Sequence, residues 1–340
     1  MSHQSCRISD LVFPLALLML VSFSKLGNTV AKLRQVGAKS ANQTGTRSRH
    51  RIAAGRIEDE RAVVSRLTGA LLRAFLVVFL ILTPSLMLPT THADTTQVAA
   101  LVALIAGMFT FVEYNSEYPS LIEFRDAPPF NRIRFFALFG TVFALSLVLR
   151  GQVAPTTLSL FLEEIATIIA QVIDVPYSPV RLMVLMLPED ASPALVSAVR
   201  NAAGLTYLVS ILSLAVFVLY IRLAGWPKQT GGFNVWINMP TFDPTAGGDV
   251  VERLSRDSQI NLIFGFLIPF LIPAIVKLAA DLVNPISLAD PHTLIWTMTL
   301  WAFLPSTLLM RGIALARVAQ LISDRRRKEF EHMDEELQPA

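Results

Sequence analysis

Six stretches of the sequence are apolar around the whole circumference of a helix, at 71–90, 97–114, 133–150, 203–223, 260–283 and 294–312. None carries the polar stripe that a helix half-exposed to water shows at a 3.6-residue period. Each is close to the roughly 20 residues needed to cross about 30 Å of hydrocarbon. A soluble fold would need polar helices to cover six such segments, and the rest of the chain is too short and too loop-like to supply them. The pattern predicts an all-α integral membrane protein with about six transmembrane helices.

Between the spans the pattern is weaker but readable. Residues 156–174 repeat apolar side chains at 158, 161, 165, 168, 169 and 172, with Glu163, Glu164 and Gln171 on other faces. That spacing predicts an amphipathic interfacial helix. Pro176 and Pro179 end it, an apolar dip follows at 181–187, and Ser192 caps a second short helix that opens with Pro193. The loop at 225–259 holds a strand-like piece at 233–238, a Gly247-Gly248 turn, and Asp249 as the cap of a helix running into the fifth span. The loop at 115–131 contains Pro119, Pro128 and Pro129. It reads either as a docking surface or as an ordered turn pinning two helices, with Tyr114, Tyr118, Phe124 and Phe130 in the aromatic zone at the headgroups.

A seventh apolar run, 11–23, has only 13 residues and covers about 20 Å at 1.5 Å per residue. It reads as an anchor or short extra span, as a signal-peptide core, or as a sign that the true start is Met19 within the run. The resulting organisation is a short apolar segment at 1–24, a basic segment at 25–70, and a six-span membrane domain at 71–312. That domain includes the external interfacial region at 151–202, and a charged tail follows at 313–340.

Composition agrees with the pattern. The 340 residues are 53% apolar and 16% charged, with a mean hydropathy of +0.53, against about 25% charged in soluble domains. The single cysteine, Cys6, excludes an intramolecular disulfide and any cysteine-ligated metal centre. It also precedes the first apolar run, which argues against a lipoprotein anchor. Only six of 29 basic residues are lysine, and arginine dominance with abundant Ala and Leu points to a GC-rich bacterial source.

The distribution of charge sets an orientation. Residues 25–73 hold eleven basic side chains, 115–134 three, 222–259 four and 311–340 six, whereas the 53 residues of 150–202 hold three. Basic charge alternates with every crossing, and 24 of the 29 basic residues fall on one side. By the positive-inside rule that side is the cytoplasm. The expected location is the bacterial inner membrane, with the basic N-terminal segment and the C-terminal tail both cytoplasmic. Anionic lipid is the expected partner of the basic segment, where each such residue contributes about 1 kcal/mol of attraction. Residues 25–68 lack aromatic residues for base stacking, so no nucleic acid is expected.

Chemistry has few places to reside. Arg73 and Glu113 lie near span ends, within reach of the interface by snorkelling. Lys277 lies deeper in the fifth span with Asp281 four residues on, spaced as a helical ion pair or as an element of a proton or ion relay. Pro269 and Pro273 in the fifth span and Pro305 in the sixth break the helical ladder and free carbonyls, a feature that carriers use to bind ions or to hinge. Adjacent carboxylates such as Glu163 and Glu164 point about 100° apart on a helix, which suits a solvated edge better than acid–base catalysis. His92, Asp94, Asp290 and His292 fall in two short outer turns and would make a zinc set only if those turns met. The sequence contains no G-x-x-x-x-G-K-[ST], H-E-x-x-H or G-x-S-x-G. No cofactor, metal or catalytic set is assigned. The reading favoured is a non-enzymatic scaffold, assembly or accessory subunit acting with other membrane proteins. A small-solute or ion-coupled permease using the fifth span is the alternative, and a membrane-embedded enzyme comes third.

Overall fold

The computed structural model describes residues 49–89, 93–227, 234–243, 245, 247–279 and 288–337. Among them every regular element is helical: α1 (Arg49–Met87), α2 (Ala93–Asn115), α3 (Phe130–Gly151), α4 (Thr157–Ile173), α5 (Pro179–Leu185), α6 (Pro193–Ala224), α7 (Val235–Asn238), α8 (Val250–Ala279) and α9 (Pro291–Leu337). Six stretches among the described residues are long and apolar enough to cross a membrane: Val63–Met87, Asp94–Asn115, Phe130–Gly151, Pro193–Ala224, Val250–Leu278 and Pro291–Glu331. They contain or closely overlap the six apolar runs of the sequence and are compatible with a multi-pass membrane protein. The segment at 1–24 and the basic residues before Arg49 lie outside the described residues, as do His92 and Asp281.

The chain divides into two units at Leu67/Thr68. Of the first unit, only the helical stretch from Arg49 is described. In the second unit α6, α8 and α9 form the centre, with α3, α4 and α5 packed around them. Among the described residues its interior gathers into two cores. One gathers Val142, Leu145, Met183, Val199, Ile295 and Trp301, from α3, α5, α6 and α9. The other gathers Phe124, Phe130, Phe217, Trp226, Met310 and Leu315.

Close helix contacts occur where small residues remove the side chain from the crossing, the usual solution where lipid supplies no hydrophobic drive for association. A Cβ at Gly204 of α6 would lie 2.8 Å from Ala170 Cα of α4, and one at Gly312 of α9 would lie 2.9 Å from the Ser258 carbonyl of α8. At the second crossing Ser258 Oγ also donates to the Gly312 carbonyl at 2.8 Å. The contact that holds α4 is therefore small: Ser159, Ala166 and Ala170 are its buried residues, while Phe161, Ile168 and Val172 face outward.

Two local expectations are corrected. Residues 235–238 form a single helical turn and not a strand, since Asn238 and Met239 donate back to the carbonyls of Asn234 and Val235. A strand would have no ladder partner among the described residues. Ser192 does cap a helix, accepting from Leu195 N. That helix is 32 residues long and continues without interruption through the fourth span. The expected break before residue 203 does not occur, because nothing between Pro193 and Gly204 opposes helix and the segment packs against α4 and α5.

Candidate functional site

The densest polar structure of the second unit is built on the loop between α2 and α3. Its first anchor is Glu113, in the last turn of α2. The Glu113 carboxylate accepts from the backbone amides of Ser120 and Leu121 at 3.0 Å, from Ile122 at 3.3 Å, and from the Ser120 hydroxyl. Glu113 is buried and does not snorkel, because the turn brings four donors to it and replaces its water. Arg125 closes the same turn from the other side, donating to the carbonyls of Glu113 at 2.9 Å and Ser116 at 2.6 Å. A basic side chain thus satisfies the carbonyls that α2 leaves open at its C-terminus.

The second anchor joins this loop to distant parts of the chain. Arg311 of α9 grips Glu123 with both forks, Nε to Oε2 at 2.6 Å and Nη2 to Oε1 at 2.8 Å, and the Thr241 hydroxyl donates to Oε1. Burial pushes the Glu123 carboxyl up, but the hydrogen bonds from Arg311 and Thr241 and the arginine's charge outweigh it and hold the group below the usual carboxylate range. Asn238, delivered by α7, accepts from Asp126 N through its side chain and from Phe124 N through its carbonyl. Phe124 adopts φ 53° to make that second bond. This left-handed backbone is costly for a bulky residue and is held by the packing of its ring. The ring lies 4.6 Å from Phe130 and 5.7 Å from Trp226 (centroid distances), and Trp226 Nε1 donates to the Ala127 carbonyl. Of the aromatics expected at the headgroup zone, Phe124 and Phe130 are therefore core residues, while Tyr118 is exposed.

A third feature is a group of arginines at the same end. Arg73 of α1 lies 4.5 Å above the Tyr114 ring. Arg134 of α3 lies 5.3 Å from the Phe130 ring and 6.0 Å from that of Phe303. Its Nη1 is 3.4 Å from Asn131 Oδ1, and its Nε is sealed from solvent without an acceptor among the described residues.

At the opposite end of α3, Asp174 closes α4 between two arginines, with Arg181 Nε and Arg200 Nε each 2.8 Å from one of its oxygens. Those two contacts lie off the hydrogen-bond line, so the triad is held by charge. Asp249, at the start of α8, accepts from Arg326 at 2.6 Å, and that bond holds its carboxyl below the usual range.

Chemically, the loop node is an arrangement for holding. Both of its glutamates have their oxygens occupied by donors, and the node ties α2, α3, α7 and α9 together. The residues singled out from sequence lie elsewhere and do not converge on it. Lys277 is exposed and reaches the Leu187 carbonyl at 3.5 Å, and Asp281 is outside the described residues. Pro269 and Pro273 are buried on the face of α8 turned to α9. Proline at 273 removes the amide that would bond the Pro269 carbonyl, and the Trp301 indole of α9 donates to that carbonyl at 3.1 Å. Pro305 presents its carbonyl to the Gly265 crossing. Asp290 caps α9, accepting from Thr293 N and Oγ1 at 2.8 Å each, and no cluster of three or more metal-ligating side chains occurs among the described residues. Sequence reasoning passed over Glu123, Arg134 and Arg311. The available signal was Arg134 and Arg311 themselves, charges standing inside the terminal turns of two otherwise apolar runs. No family model, curated protein or solved structure matches this chain.

Proposed function

We propose that this protein is a non-enzymatic scaffold or assembly subunit of a larger membrane complex, seated in a bacterial inner membrane with its basic N-terminal segment and C-terminal tail in the cytoplasm. The observation that carries the reading is the surface of α2. Only 11% of its apolar window is buried, against 56% in the sixth span. Val98, Leu101, Ile105, Met108 and Val112 form an exposed apolar stripe at alternating three- and four-residue spacing. This is the period that lets one helix lay its side chains into the grooves of another over several turns. The loop node supports the same reading, since its bonds fix the end of α2 and hold that stripe in one orientation. The exposed face of α4 (Phe161, Ile168, Val172) fits an interfacial helix on the outer side. Orientation rests on the basic-residue asymmetry.

Purification of the full chain in a mild detergent tests the reading. A stoichiometric larger complex, weakened when Leu101 and Met108 are both replaced by alanine, is the expected result. A lone monomer or homodimer overturns it. A solute flux lost in an inserted Lys277→Met variant would overturn it in favour of a carrier.

A further inference from the structure

We infer that acyl chains of the outer leaflet cover one flank of α4 and that water covers the other, so that this helix lies along the membrane boundary with a fixed roll. The inference rests on the membrane placement proposed above and deepens it by naming what meets the open face of α4.

Contacts along one side of α4 decide which part of its surface is protein. Ser159 lies against Gly151, the last residue of the third span, where a Cβ would come within 2.5 Å of the serine hydroxyl. Ala170 lies against Gly204 of α6 in the same way, and Asn201 Nδ2 of α6 donates to Thr167 Oγ1 at 2.9 Å. The Thr156–Ser159 capping box fixes one end of the helix, and Asp174 between Arg181 and Arg200 fixes the other. The roll of α4 about its own axis is therefore set by the protein. Gly151 and Gly204 stand where the apolar runs of their spans end, at 150 and 203. This holds α4 at the depth where hydrocarbon gives way to headgroups.

At about 100° per residue the rest of the helix surface divides into two sectors. Thr157, Glu164 and Gln171 are exposed on one, with Leu160 the only apolar side chain among them. The other sector spans about 140° and is made of Leu, Ile, Val and Phe alone. Leu158, Phe161, Ile168 and Val172 are its exposed members, and Leu162 and Ile173 at its far edge pack onto the core that holds Leu145 and Ile295. Glu163 and Glu164 both fall outside it. A seam that receives a second helix carries polar residues along both borders. Here one border is polar and the other is the protein's own apolar interior, so the sector continues the hydrocarbon-facing surface of the neighbouring spans onto α4. An exposed apolar face of this kind marks an interaction surface, and with a polar sector beside it at the end of two spans it fits acyl chains on one flank and water on the other.

Site-directed spin labelling of the full chain, in vesicles of phosphatidylethanolamine and phosphatidylglycerol, tests the inference. In a Cys6→Ser background, nitroxides are attached one at a time to Phe161→Cys, Ile168→Cys, Val172→Cys, Glu164→Cys and Gln171→Cys. Power saturation is then read with oxygen and with a water-soluble nickel chelate. Labels at 161, 168 and 172 are expected to relax with oxygen and to lie about 5–10 Å below the headgroup boundary, while those at 164 and 171 relax with nickel. Should the label at 161 disturb folding, 168 and 172 carry the comparison. Nickel access at all five positions would stand α4 in water and overturn the inference. Labels at 161, 168 and 172 shielded from both reagents would show protein on that face and overturn it as well. The stoichiometry found on mild-detergent purification is a separate readout, so the scaffold reading and this one fail by different results.

Discussion

Glu123 is an acid kept ionised in a place where burial alone would neutralise it, and its value to the fold depends on that charge. Its side chain is 12% exposed and that of Arg311 is 30% exposed, so the pair is partly desolvated and bidentate. Replacement by glutamine removes the charge and leaves Arg311 without its counter-ion, at an expected loss of about 1–3 kcal/mol, below the cost of breaking a fully buried pair. The dependence on pH has a definite sign. The folded carboxyl titrates below its unfolded value, near the usual range of about 4.3, so the stabilisation is complete above that pH and is lost as pH falls through the folded value. The difference in unfolding temperature between wild type and E123Q should be constant from pH 6 to 8, as about two units above the usual carboxylate range should ensure, and should close in acid. A gap that stayed open in acid would place the stabilisation in packing instead. None of this was visible in sequence. Glu123 read as one polar residue in a proline-rich loop, and its partner lies 188 residues away.

At the scale of the element, proline in the fifth span is the clearest case of a local defect repaired from outside. Pro273 deletes the donor for the Pro269 carbonyl, and Trp301 of α9 supplies another from its buried indole. Trp301→Phe should leave that acceptor unpaired and destabilise the protein by about 1–3 kcal/mol. Pro273→Ala restores a backbone donor to the same carbonyl, so it should recover more stability in the Trp301→Phe background than in wild type. Equal effects in both backgrounds would show that the indole bond is not the replacement for the lost helical one. The helices themselves were legible from sequence, as were the Ser192 and Asp249 caps, because these depend on neighbours within four residues. The end of α6 was not. Its first ten residues are polar enough to read as a separate short helix, and only packing against α4 and α5 shows them to be the start of the span.

For the whole molecule, the charge asymmetry and the order of helices make one joint prediction. The loop carrying Tyr118 precedes α3 and the turn carrying Glu189 follows α5, with the single span of α3 between the two regions. In a background where Cys6 is replaced by serine, cysteines introduced at Tyr118 and Glu189 should react with a membrane-impermeant thiol reagent from opposite sides. Residue 189 should be labelled in intact cells and residue 118 only after the membrane is opened. Labelling of both from outside would overturn the orientation and, with it, the cytoplasmic placement of the tail.

What the sequence determined by itself is the number and position of the apolar helices. A segment in hydrocarbon must satisfy its backbone internally, so local composition is enough to specify it. The corresponding limit is equally physical. Glu113 was legible as a charge near a span end but not as the acceptor of four donors, and Pro269 was legible as a break but not as a carbonyl already bonded. Arg134 was legible only as one more basic residue. Which polar groups find partners depends on helices brought together from distant parts of the chain, as with Glu123 and Arg311, 188 residues apart. Tertiary structure alone decided it, because the free energy of a charge at the edge of a membrane is set by what stands next to it in space.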